Sequence, residues 1–258
     1  MQTTAVTAIY HLLILSSATL AMAATPVPSL PAQTTPKAID SPIDEVVSVD
    51  PDPEDFPTPP KIDNPFFPLT PGTTFVYEGE TDGVPARTEF TITHQTKVIQ
   101  GITTVVIDDK DFVNGVKDEE THDWYAQDLD GNVWYFGEAT DQLDPSGKVI
   151  GHQGSWEAGK NGAHAGVVME GNPKSLDTYF QEFAPGQGED RAVIRSLDTT
   201  VTVPFGRFTD CLKTKEFSRL DPGVFEQKYY ARGVGLLKSA ITVGGNEHFV
   251  LVTITKGN

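Results

Sequence analysis

The sequence predicts an antiparallel all-β fold, a sandwich or a barrel-like domain with little helix, and three observations lead to it. Short runs rich in Val, Ile, Thr, Phe and Tyr recur along the chain, separated by Gly, Pro, Asn or Asp. Asn114-Gly115 and Asp130-Gly131, each flanked by such runs, supply the positive φ angles that tight hairpin turns need. No stretch keeps an apolar spacing of 3.6 residues with capping residues over three turns, so helix is a minor component. Unpaired sheet edges invite aggregation, and so many strands are expected to close into a barrel or double into a sandwich.

Residues 1–23 carry no charged side chain, are mostly apolar from Ala8 to Leu20, and end in Ala21-Met22-Ala23. This is the pattern of a signal peptide cleaved after Ala23: the apolar core is short for a membrane span, and small residues precede the cut. The n-region has no Lys or Arg, and no cysteine follows that could carry a lipid. Export to the periplasm or the medium is expected, with no transmembrane segment in the mature chain. Residues 24–63 then hold ten of the 19 prolines together with eight acidic residues. Pro removes backbone donors, and few apolar side chains offset the entropy of ordering, so an extended, disordered acidic tether is expected.

A single β-rich domain is expected over residues 64–258, opening at Asn64-Pro65-Phe66-Phe67-Pro68-Leu69, where apolar density rises. Strand texture runs over 74–80, 87–93, 96–99 and 103–107, then through the Asn114-Gly115 turn into a hairpin centred on Asp130-Gly131. That hairpin, residues 122–138, gathers Trp124, Tyr125, Trp134, Tyr135 and Phe136. Residues 151–172 contain six glycines and no sustained period, and read as a long Gly-rich loop. Strand texture returns at 178–183, 191–197, 199–203, 208–217, 224–231, 236–243 and 247–255. The net charge is −17, and residues 64–258 alone carry −11, which argues against nucleic acid or an anionic membrane as partner. The one cysteine, Cys211, cannot close an intramolecular disulfide and reads as a structural thiol.

Several stretches, Asp123-Trp124-Tyr125-Ala126-Gln127-Asp128, Gly131-Asn132-Val133-Trp134-Tyr135-Phe136-Gly137-Glu138, Gly154-Ser155-Trp156-Glu157-Ala158-Gly159, Val201–Phe208 and Tyr229–Lys238, resemble those of an uncharacterised group of exported bacterial β-rich proteins. The resemblance spans roughly Asn64 to the C-terminus. It implies a β fold and export, and it brings no activity and no catalytic residue.

Candidate chemistry concentrates on the central hairpin. With a two-residue Asp130-Gly131 turn, Tyr125 faces Phe136, Gln127 faces Trp134 and Asp123 faces Glu138; a one-residue slip pairs His122 with Glu138 instead. Opposed carboxylates persist when solvated, when bridged by a cation, or when sharing a proton as an acid/base couple. Asp128, Asp130 and Asn132 alternate as calcium-loop oxygens do, although the glycine stands fourth rather than sixth and an ordinary turn explains the pattern. His122, Asp123, Asp128, Asp130, Asn132 and Glu138 are therefore the metal candidates, with calcium as the possible ion. His152, Glu157, His164 and Glu170 share the Gly-rich loop but match no metal-ligand spacing. Tyr125, Trp134, Phe136, Trp156 and Tyr229 are the candidate ligand-binding aromatics, against the alternative that they are core. No Gly-x-Ser-x-Gly, phosphate loop or dinucleotide fingerprint is present. A non-catalytic exported domain that binds a small molecule or an envelope component is the leading reading. A metal-binding protein and a carboxylate-pair hydrolase are the alternatives.

Overall fold

The computed structural model describes residues 50–257. The expected signal peptide and residues 24–49 of the expected tether lie outside them. The first meander comprises β1 (Thr73–Thr81), β2 (Val84–Ile99), β3 (Ile102–Val113), β4 (Val116–Gln127) and β5 (Val133–Leu143). Its first three turns are two-residue connections at Asp82-Gly83, Gln100-Gly101 and Asn114-Gly115, with φ positive at both residues of each. That geometry matches the twist of the flanking strands, and glycine at the second position adopts it without steric cost. The texture at 87–93 and 96–99 belongs to the single strand β2, whose pairing with β3 is irregular between Ile92 and Thr96.

Short elements follow: β6 (Val149–Gly151), β7 (Trp156–Glu157), β8 (His164–Met169), β9 (Thr178–Phe180) and β10 (Glu182–Phe183). The Gly-rich stretch 151–172 thus contains two strands, β7 and β8, both paired to β5. The second meander is β11 (Asp190–Val203), β12 (Gly206–Ser218), β13 (Phe225–Ala231), β14 (Gly235–Val243) and β15 (Glu247–Lys256). The only helix among the described residues is a 3-10 turn at Pro53–Asp55.

The meanders join where β1 pairs antiparallel with β15, from Thr73 opposite Lys256 to Thr81 opposite Glu247. On the far side one continuous strip serves both remaining edges. Thr178–Phe180 pairs with β11, while Glu182–Phe183 pairs with β8, itself on β5. Between them the Gln181 N–H donates to the Asp190 carbonyl at 2.8 Å. The sheet is therefore a nearly closed antiparallel barrel.

Residues 62–69 cover one part of its buried face. Asn64, itself buried, donates through Nδ2 to the carbonyls of Gly131 (2.8 Å) and Glu170 (3.0 Å), and its Oδ1 accepts from the amides of Phe66 and Phe67. Phe67 lies 5.7 Å from the Tyr125 ring and 6.4 Å from the Tyr230 ring. Packing begins before Asn64 as well. Phe56 meets Trp134 and Phe136 edge-on at 6.4 and 5.9 Å, the Leu129 amide donates to the Asp55 carbonyl, and Ile62 is buried. Residues 50–63, expected as tether, are thus laid against the sheet, because Phe56 and Ile62 supply the apolar anchors that proline-rich composition alone conceals.

Candidate ligand site inside the barrel

Around Phe67 the buried face is apolar, with Phe75, Phe90, Val234 and Leu236 among its walls. Further along the same strands it turns acidic. Cross-strand pairing sets Thr88, Asp111 and Glu119 in one row across β2, β3 and β4, and Asp109, Thr121 and Thr140 in the next across β3, β4 and β5. A third row is Ile107, Asp123 and Glu138, with Trp156 of β7 opposite Glu138. All of these side chains are buried. Asp and Glu are rarely buried unless charge partners or hydrogen bonds replace water, and five of them stand in these three rows. Several bonds are visible: the Thr88 hydroxyl donates to Asp111, Thr121 bonds Thr140 at 3.1 Å, and Gln142 reaches Glu119 at 3.5 Å.

The centre of the face is the opposed pair Asp123/Glu138. The Tyr135 hydroxyl lies 2.7 Å from Asp123 Oδ1 and 3.1 Å from Glu138 Oε2, and so bridges the two carboxyls. Tyr125 stacks on Tyr135 with ring centroids 4.7 Å apart, and Trp156 meets Tyr135 edge-on at 5.3 Å. Burial first, and then Asp123, Asp109, Glu138 and Glu182, hold the Tyr125 hydroxyl well above the usual phenol range; burial with Asp123 and Glu138 does the same for Tyr135. Both phenols keep their protons at any physiological pH. The hydroxyl of Tyr125 and the indole N–H of Trp156, both buried, have no hydrogen-bond partner among the described residues.

The register that builds this centre differs from the expected one in an instructive way. The β4–β5 connection is five residues, 128–132, so Tyr125 faces Tyr135 and Gln127 faces Val133 rather than Phe136 and Trp134. A bulge on β5 then adds a residue, restoring Asp123 opposite Glu138 and placing Tyr135 beside them. Gly137 makes the bulge, at φ +119°; a Cβ there would lie 2.3 Å from the Trp156 carbonyl oxygen.

The structure therefore brings together Tyr125, Trp156, Asp123 and Glu138 from the sequence candidates and separates the rest. Phe136 is buried on the opposite side of β5, under Phe56, and half-buried Trp134 is beside it. Tyr229 lies on β13 with Lys213 and Lys238 near its ring. His122 bonds Asp108 at 2.8 Å and is half-exposed. Asp128 spends its carboxylate on its own loop, accepting from the Asn132 amide (2.8 Å), Asn132 Nδ2 (2.9 Å) and Trp134 Nε1 (2.8 Å), while Asn132 Oδ1 accepts from the Gly171 amide. Asp130 is exposed in the same loop. Among the described residues no group of three or more His, Cys, Asp or Glu is arranged to hold a metal ion. Sequence reasoning missed Asp109, Asp111, Glu119, Tyr135 and Glu182. For the β3 and β4 acids the signal is parity: Asp109 and Asp111 continue the inward series of Val105 and Ile107, and Glu119 stands in the series of Asp123 and Tyr125.

A second buried polar cluster lies on β11–β15. Lys228, fully buried, is 2.8 Å from Glu216 and 3.3 Å from Glu226. Burial pulls its ammonium down, but the two carboxylates outweigh this and hold it above the usual lysine range. Burial raises Asp190 and Glu247 to about 8 and Glu226 to about 7. At the rim, Arg219 holds Glu189 at 2.7 Å. Cys211 is buried in β12, and burial lifts its thiol.

No family model and no curated protein matches the chain. No helix among the described residues is long and apolar enough to cross a membrane. Among solved structures, the chain is similar to a "putative exported protein with YmcC-like fold" from Bacteroides fragilis, at 14% identity and TM-score 0.44, covering 74% of this chain and 99% of that one. It is similar also to a "putative lipoprotein" from Parabacteroides distasonis, at 14% identity and TM-score 0.38, covering 75% and 100%. Neither name states an activity.

Proposed function

We propose that the chain is an exported, non-catalytic binding protein whose ligand is held inside the barrel, against Asp109, Asp123, Glu138, Tyr125, Tyr135 and Trp156. The observation that carries this reading is the pair of buried donors, Tyr125 Oη and Trp156 Nε1, left without partners at a face built of acids and aromatic rings. A buried polar group without a partner costs on the order of 1–3 kcal/mol, and a ligand with matching groups would recover that. Export to the periplasm or the medium rests on the uncharged apolar leader and its Ala-x-Ala end. The test is native mass spectrometry of the protein purified from its own secretory compartment. A small molecule that co-purifies with wild type and is lost from Tyr125→Phe and Trp156→Phe supports the site. Equal retention by both variants removes it.

One observation favours a second reading. Asp123 and Glu138 are directly opposed and share one phenol, as an acid/base couple in a hydrolase would. A substrate screen in which no activity is lost on Asp123→Asn rejects that reading.

A further inference from the structure

We propose a second binding site at the end of the barrel where β1 begins and β15 ends, a cavity of about 390 Å³ that takes an aliphatic carboxylate, its head on Lys256 and its chain along Phe75, Phe205, Val234 and Ile254. The cavity shares no residue with the acidic face, and the proposal stands or falls apart from the reading above. The seam between the two meanders builds it. Thr73 lies opposite Lys256 and Phe75 opposite Ile254, and cross-strand partners share one face of a sheet. Thr73 and Phe75 are buried on the inner face, so Ile254 and Lys256 also face inward, at the rim.

A volume of this size falls within the roughly 300–1,000 Å³ of small-molecule sites, which are mostly apolar with a few placed polar groups. The walls continue inward through Pro68, Phe75 and Val234 to the apolar stretch around Phe67. Two observations identify the occupant. The first is Lys256, the one charged residue among those lining the cavity, which has no ion-pair or hydrogen-bond partner among the described residues and stands with the hydroxyl-bearing Thr70 and Thr73. One ammonium and two hydroxyls match a monoanion that accepts hydrogen bonds, and no acid lines the cavity to repel it. The second is Phe205. It is exposed at the Pro204-Phe205 turn between β11 and β12, although such turns favour polar residues or glycine. Its amide donates to the Leu251 carbonyl at 3.2 Å and its ring stacks on Phe208 at 6.3 Å, so an apolar ring is pinned at the mouth. An alkyl chain covers that ring, and a bare inorganic anion does not. A cation is repelled by Lys256, and an uncharged chain leaves its ammonium without a counter-ion.

The experiment is titration calorimetry on the mature protein with hexanoate, octanoate and decanoate, each below its micelle concentration, and with octanol, octylamine and octyl phosphate as counterparts of one chain length. Expected are saturable binding of the carboxylates that tightens with chain length, weaker binding of octanol and none of octylamine. The decanoate Kd should rise about tenfold in Lys256→Met, as loss of a charge-assisted hydrogen bond implies, recover in Lys256→Arg, and rise also in Phe205→Ser. Lys148→Met, which removes an exposed charge at a distant turn, should leave it unchanged. Lys256 and Phe205 are both exposed, and Lys256→Met alone decides should Phe205→Ser lose its cooperative melt. Three results overturn the proposal: no carboxylate binds saturably, octanol or octylamine binds as tightly as octanoate, or the decanoate Kd ignores Lys256→Met. Octyl phosphate bound in preference to octanoate overturns the carboxylate while leaving the cavity as an anion site.

Discussion

Lys228→Met removes the ammonium from between Glu216 and Glu226 and keeps most of the side-chain volume, so its effect isolates charge. Removing one partner of a buried ion pair costs about 3–5 kcal/mol, because the other charge stays behind without its counter-ion. For a domain of roughly 200 residues each kcal/mol moves Tm by about 2–4 °C, so a fall of about 6–20 °C is expected at pH 8. The penalty should shrink on acidification. Burial already raises Glu226 to about 7 with Lys228 in place; without the ammonium its carboxyl rises further, and at pH 5 it is protonated and neutral. Lys228 of the wild type stays charged throughout, since its partners hold it above the usual range. Scanning calorimetry at pH 5 and pH 8 is the assay, with Lys228→Met/Glu226→Gln as the variant that should regain stability at pH 8. A Tm within about 3 °C of wild type at pH 8, or a loss equal at both pH values, refutes the view of Lys228 as the counter-ion that this cluster requires.

Other outcomes follow from the same geometry. Glu247 and Asp190 are raised to about 8 by burial, so the stability they contribute is full below their unfolded pKa and is lost as pH rises toward 8. Wild-type Tm should therefore fall from pH 5 to pH 8, less so in Glu247→Gln, and a Tm that climbs over that range contradicts the assignment. Gly137→Ala places a Cβ 2.3 Å from the Trp156 carbonyl at φ +119°, so β7 must move. About 2–4 kcal/mol of destabilisation with red-shifted tryptophan emission is expected, against about 1 kcal/mol for Gly115→Ala, whose Cβ meets open space. Asn64→Ala deletes two donated and two accepted hydrogen bonds at a buried site, about 2–4 kcal/mol. Hydrogen exchange should quicken first at the amides of Phe66 and Phe67.

The all-β class and the 114–115 turn were legible because period-2 texture and Asn-Gly chemistry are local. So was the opposition of Asp123 and Glu138, although the assumed two-residue turn misplaced everything nearer the loop. The cause is Asp128: by bonding the Asn132 amide and side chain it stabilises a five-residue connection, and only the bulge at Gly137 brings the register back. No local pattern announces such a compensation. The aromatics of one hairpin looked equivalent in sequence, yet residue parity combined with that bulge sends Tyr125 and Tyr135 inward and Trp134 and Phe136 under Phe56. The acidic interior was hidden for another reason. Buried carboxylates on strands read as solvated faces unless the closure of the sheet is known, and that closure depends on pairing between β1 and β15 and on the strip at 178–183, both far apart in sequence from their partners.

That closure also shapes how the molecule assembles. Within each meander every strand pairs with its successor, so two ladders can zip from their turns outward with little loop entropy to overcome. Neither ladder encloses anything by itself. Enclosure waits for the first and last strands to meet, and for six residues, Thr178 to Phe183, to dock along both remaining edges at once. These non-local joins carry the largest loop-closure cost and are expected to slow folding. A chain emerging in N-to-C order finishes its first ladder before its second exists. Until the final strand emerges, the unpaired edge of β1 is the surface most exposed to wrong partners.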